Sequence, residues 1–215
     1  MRTCTPAAAT QWTTQATPRR LMMLHDAEFL KEHFDQGLPM EPFVSMLPMD
    51  QQATWSQRYS QLELDEEQQT ILDSFTRDMK ILSITGPWCG DCALQGAALA
   101  RIADACPEHV EVRFLPRDES YAEMVVTSMI NAGTRVPVTF LMAEDFEACA
   151  RIGDRTLSRY RSMARKALGP DSPVLAPPPE DPVREVLQEV LDEVERVQWM
   201  LRLSPRLREL HGENQ

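Results

Sequence analysis

The chain predicts an α/β fold: a central mixed sheet built in the order β-α-β-α-β-β-α, with an N-terminal helical segment and a C-terminal helix. Three observations carry this. Residues 26–79 show apolar positions at helical spacing and no strand-like run. From residue 80 the pattern switches to short β-branched runs that alternate with helical stretches. Five prolines between Pro173 and Pro182 then set off one last amphipathic stretch.

The elements follow in order. Residues 1–22 read as a disordered tail. The first 25 residues lack Asp and Glu and carry six Thr and three Arg, the bias of a transit peptide, but they have no apolar core of secretory length. A translation start nearer Met22 would account for them equally. Residues 23–79 form a helical extension. Asp26 caps a short helix to Phe34, and Gly37 to Pro48, with three prolines, reads as a connector. A helix from about Asp50 to Leu62 carries Trp55, Tyr59 and Leu62 on one stripe. Asp65 and Gln68 form a capping-box pattern ahead of Ile71, Leu72 and Phe75.

Residues 80–170 form the α/β domain. Residues 80–86 are a buried strand, 90–105 a helix and 110–115 an alternating strand. Ser120 and Glu123 match a capping box for a helix reaching Asn131 and ending at Gly133. Val138 to Met142 and Glu147 to Ile152 are strands, and Gly153-Asp154 turns the chain into a helix from Thr156 to Leu168. Residues 171–182 are a Pro-rich linker. Residues 183–215 hold the last helix, with Asp181 as N-cap and Pro182 at its first position. Val183, Leu187, Val190, Val194, Val197 and Leu201 make an a/d stripe. It packs back on the domain, or pairs two copies in a dimer.

A net charge of −11 argues against nucleic acid or an anionic membrane as partner. No apolar run approaches the ~20 residues that span a bilayer. Five cysteines, an odd number, do not suit a secreted disulfide framework. A reducing compartment, the cytoplasm, with one functional cysteine pair is the economical reading.

That pair lies in Trp88-Cys89-Gly90-Asp91-Cys92, between the first strand and its helix. Two cysteines at this spacing on a strand-to-helix junction suit thiol–disulfide exchange. Structural zinc is the competitor, because Cys106-x2-His109 would supply a second ligand pair. A helix over 92–106 would hold the two pairs roughly 21 Å apart, at about 1.5 Å per residue. No metal and no cofactor are therefore expected.

The element order with Trp88 to Cys92 resembles thioredoxin over about 90 residues. Arg135-Val136-Pro137 stands where that fold places a cis proline facing the cysteines, and Gly153 where it keeps a small residue beside the substrate groove. The helical prelude, Ile84-Thr85-Gly86-Pro87-Trp88-Cys89-Gly90-Asp91 and Arg117-Asp118-Glu119 are similar to a bacterial thioredoxin-like family of mostly unassigned role. Its second cysteine is often another residue, so Cys92 favours dithiol chemistry here. A peroxidase would place its cysteine in a Thr-x-x-Cys setting, and that threonine's position is Gly86.

On this reading Cys89 is the nucleophile, because unpaired N–H groups and the dipole at a helix N-terminus stabilise a thiolate. Cys92, one turn along, resolves the mixed disulfide. Gly90 keeps the approach open, while Trp88, Val136 and Pro137 form an apolar lip for an extended substrate. Two departures from thioredoxin stand out. Asp91 replaces the proline, and its carboxylate beside the sulfurs disfavours a thiolate. Ser83 replaces a buried aspartate, which leaves Asp91 or water as the base for Cys92.

Cys106 and Cys149 read as core residues and Cys4 as part of the tail. Arg113 reads as a snorkelling surface arginine, and Arg117-Asp118-Glu119 as a strand exit or a groove wall. The expected function is reduction of protein disulfides, recharged by an upstream dithiol reductant. The alternative is a redox-sensing or protein-binding module without turnover.

Overall fold

Helix signals in the N-terminal segment become four helices. The computed structural model describes residues 25–169 and 179–213, so the tail, Cys4 and most of the Pro-rich linker lie outside it. Helix α1 (Ala27–Gln36) starts at Asp26, whose carboxylate accepts the Phe29 N–H. Helix α2 (Met40–Ser45) falls inside the expected connector. Helix α3 (Met49–Ser60) buries Trp55, and α4 (Glu66–Asp73) opens on the expected capping box, with both of its hydrogen bonds made. A prelude without strands needs one amendment. Leu38 exchanges two backbone hydrogen bonds with Phe114 and covers the sheet's outer edge at that point.

The sheet holds β1 (Met79–Thr85), β2 (Val110–Pro116), β3 (Val138–Ala143) and β4 (Ala148–Ile152), in the order β2-β1-β3-β4. β1 and β2 are parallel, with Ile81 beside Val112, whereas β3 runs antiparallel to both β1 and β4. A parallel pair needs a crossover, and α5 (Gly90–Ala105) is that crossover. β1 is central and covered on both faces, which is why it reads as a continuous apolar run. Its alternate residues serve two cores. Met79 and Ile81 pack with α3, α4 and α5, while Leu82 and Ile84 pack with α1 and the short α6 (Ala122–Thr127).

Trp55 fixes α3 to α5. Its ring meets Phe43 and Phe114 edge-on at centroid distances of 5.4 and 5.7 Å. Gly96 faces it from α5, where a Cβ would come within 2.5 Å of the indole. A glycine inside a helix costs about 1 kcal/mol relative to alanine, and the close approach of the two helices accounts for it here.

Helix α7 (Leu157–Leu168) follows β4, and α8 (Pro182–Leu203) and α9 (Pro205–Leu210) end the described chain. Asp181 caps α8 by accepting the N–H groups of Val183 and Arg184. The apolar stripe of α8 lies within the chain's own core, with Leu187, Val190, Val194, Val197 and Leu201 buried. Glu189 of α8 also caps α7, accepting the Ser158 N–H at 2.9 Å and its hydroxyl at 2.7 Å.

One boundary is corrected. The helix expected to reach Asn131 ends at Thr127. The Asp118 carboxylate takes the Ser120 N–H and starts a 3-10 turn, so Ser120 and Glu123 form no capping box. Asn131 and Ala132 then adopt left-handed backbone, with φ of 48° and 56°, before Gly133.

Candidate active site

Cys89 is the N-cap of α5 and makes no side-chain capping bond of its own. Its backbone is held by a bond from its N–H to the Gly86 carbonyl, at 2.8 Å. Its side chain is partly exposed, and a Cβ on Gly90 would meet nothing within 4 Å, so the approach to the sulfur is open. Cys92 lies one turn inward, fully buried, and accepts the Gly86 N–H at 3.3 Å. Both thiols are free.

The two sulfurs are held in opposite protonation states. A hydrogen bond from Cys92 lowers the Cys89 pKa to about 6, against the cost of partial burial, with help from the N–H groups of Cys92 and Asp91. Burial, and then the bond to Cys89, push Cys92 far up, so it keeps its proton. This is the division between attacking and resolving thiol that exchange chemistry requires.

Val136 and Pro137 are joined by a cis peptide bond, and the Val136 carbonyl stands 3.9 Å from Cys89 Sγ. Trp88 is 62 % exposed, and the side chains of Trp88 and Val136 converge over Gly86. Trp88 also lines a cleft of about 360 Å³ with Arg117, Asp118, Ala122, Val125 and Val126. Gly153 is less closely tied to the pair. A Cβ there would meet only Ile130 within 4 Å, and the residue faces a cleft toward α8 lined by Ile152, Leu157 and Val190.

Asp91 acts against both thiolates, as expected, but it has partners the sequence did not show. Its carboxylate is an anchored, buried ion pair rather than a free charge beside the sulfurs. Arg155 Nε donates to Oδ2 at 2.8 Å and Arg159 Nε to Oδ1 at 2.7 Å. Arg155 also reaches Asp154 at 2.9 Å, which Arg135 and the Tyr160 hydroxyl share. Burial works against the Asp154 charge, yet these hydrogen bonds hold its carboxyl below the usual range. Each Asp91 oxygen is thus engaged by a guanidinium. Nothing local in the sequence signals these arginines: Arg155 precedes the N-cap of α7 and Arg159 lies in its first turn.

Beneath the site, Ser83 bonds to Thr139 through their hydroxyls at 2.8 Å. Thr85, also buried, has a hydroxyl without a hydrogen-bond partner among the described residues. No carboxylate occupies the Ser83 position. Arg113 lies over the Phe34 ring and pairs with Glu111, as a snorkelling arginine does. The Cys106 thiol donates to the Leu72 carbonyl, and His109 pairs with Asp78. α5 runs unbroken between Cys92 and Cys106, so the two zinc-like pairs are not brought together.

No helix among the described residues is long and apolar enough to cross a membrane. No curated protein matches the chain by sequence. Among solved structures it is similar to a protein of unknown function, PA1234, from Pseudomonas aeruginosa, with TM-score 0.59 and 18% identity over 78% of this chain and 95% of that one. It is similar also to an HIV epitope-scaffold, with TM-score 0.60 and 17% identity over the same shares. Both likenesses are of fold. A family model described as Thioredoxin matches residues 37–165, from the end of α1 to within α7. That match takes in most of the helical prelude, the whole sheet and both sulfurs, and the chain belongs to this thioredoxin family.

Proposed function

We propose that the protein is a thiol–disulfide oxidoreductase that reduces disulfides in protein substrates, in a reducing compartment such as the cytoplasm. The observation that carries this is the division between the two sulfurs. Cys89 is accessible and held toward its thiolate, while Cys92 is buried and protonated beside it.

Cys89 Sγ attacks one sulfur of the substrate disulfide. That S–S bond breaks, one substrate sulfur leaves as thiolate, and the other is joined to Cys89. Cys92 then loses its proton and attacks Cys89 Sγ, which releases the second substrate sulfur. The substrate gains two electrons, and its sulfurs take up the Cys92 proton and one from solvent. The protein is left as the Cys89–Cys92 disulfide, which a separate dithiol reductant must reopen. Trp88, Val136 and Pro137 hold the substrate segment against Cys89, and Gly153 leaves room beside the groove. With Asp91 engaged and no carboxylate at Ser83, the Cys92 proton passes to water or to the departing substrate thiolate. Resolution is then expected to be slower than in thioredoxin.

Insulin reduction, coupled to a small dithiol, tests this. Turnover is expected in the native protein, and Cys92→Ser should trap the mixed disulfide. Absence of both turnover and trapping in folded protein would remove the enzyme reading.

A further inference from the structure

An aspartate between two redox sulfurs poses an electrostatic problem. In the first turn of a helix its charge suits the dipole, but a carboxylate near a forming thiolate opposes it. The Asp91 charge does act against the Cys89 thiolate, and the surrounding structure gives that charge close partners. The Asp91 side chain is only 9% exposed, and each of its oxygens meets a different guanidinium. Those arginines come from the β4–α7 turn and from α7, 64 and 68 residues along the chain.

We propose that Arg155 and Arg159 are positioning residues for the dithiol, gripping the Asp91 carboxylate between them and offsetting part of its charge beside Cys89 and Cys92. The inference borrows its purpose from the redox reading of that pair, but its test needs no turnover.

The charged and titratable groups of this cluster come from every segment around the site. Asp91 lies on α5, Asp154 and Arg155 in the β4–α7 turn, Arg159 and Tyr160 on α7, Arg135 in the loop before β3, and Glu189 on α8, where it caps α7 at Ser158. Three guanidiniums face the Asp91 and Asp154 carboxylates, and Asp91 is the member of the cluster whose charge acts against the Cys89 thiolate. Asp154 is the cluster's centre. Its carboxylate is 4% exposed and joins Arg135, Arg155 and Tyr160, while its backbone carbonyl accepts the Gln95 amide of α5 at 3.1 Å. Arg135 immediately precedes Val136, whose carbonyl faces Cys89. The same ion pairs therefore join the cysteine helix to the segment that faces its sulfur.

The experiment is a pH titration of Cys89 alkylation by iodoacetamide, read peptide by peptide, beside a thermal melt. Arg155→Gln or Arg159→Gln frees the Asp91 charge and should move the midpoint up by about one unit. That corresponds to a roughly fivefold lower thiolate fraction near pH 6. Asp91→Asn should move it down, and Arg155→Lys, which keeps the charge, should hold it near native. The reduction potential should become more negative in the Arg→Gln variants, because their thiolate is less stable. Should Arg155→Gln fail to fold, Arg159→Gln, one-third exposed, reads the same quantity. Folded Arg→Gln variants that melt earlier at an unmoved midpoint would reduce the arginines to packing and overturn the proposal. These shifts in a protein without disulfide turnover would uphold the proposal and remove the enzyme reading instead.

Discussion

Cys89 and Cys106 flank the same helix, one at each end of the 16 residues of α5. At the N-terminal end, backbone N–H groups and the Cys92 thiol point at Cys89 and bring its pKa to about 6. At the C-terminal end, burial pushes the Cys106 thiol up, and its S–H donates to the Leu72 carbonyl. One end of a helix offers donors and the positive pole of its dipole; the other offers acceptors and the negative pole. The contrast separates reactivity from residue type. A cysteine at the wrong end of the same helix is a small apolar side chain.

The strongest way to break this comparison is substitution. Cys89→Ser should abolish insulin reduction, while Cys106→Ser should leave the rate within about twofold, since its sulfur meets no substrate. Equal loss in both would erase the distinction. Alkylation at neutral pH sharpens it next. Cys89 should react at least about tenfold faster than Cys106, with its rate rising through pH 6 and then flattening. The sign of the linked stability follows. A thiol whose folded pKa is depressed binds fewer protons when folded. The reduced protein should therefore gain stability over Cys89→Ser as pH rises from about 6 to the unfolded thiol's value, and lose that gain on acidification.

A third substitution moves the helix without touching either end. Trp55→Ala empties the site opposite Gly96 and should cost about 3–5 kcal/mol in urea unfolding. The smallest effect belongs to an ordinary cap. Asp181→Ala should cost about 1 kcal/mol and leave the Cys89 titration unmoved. A shift there would mean that α8 acts on the sulfur through α7, by way of Glu189.

Much of the fold is legible because burial imposes a period. The sheet strands, α5, α7 and α8 follow from apolar spacing together with turn and cap residues, within a residue or two. Helix α2 escaped because its prolines read as breakers. Pro39 and Pro42 occupy the cap and the first turn, where a missing N–H costs nothing. At the site, both sulfurs and Trp88 are visible as a local motif, and the Val136-Pro137 pair through the resemblance to thioredoxin. The partners of Asp91 are not. They lie more than 60 residues away, and only the tertiary fold, with α5 and α7 both packed against α8, brings them to the carboxylate. Local spacing reveals a nucleophile, but its electrostatic surroundings depend on tertiary placement.

Trp55 has a further bearing on what could be moved between proteins. Its indole N–H donates to the Pro87 carbonyl at 3.3 Å, two residues from Cys89, while its ring fills the hollow over Gly96. A graft of β1, the cysteine loop and α5 into a new host would carry every reactive atom. It would also carry a ring-sized gap and a loop that has lost its outside tether. The smallest portable unit begins upstream, with α2 and α3, and a shorter transplant would keep the sulfurs without the backbone that aims them.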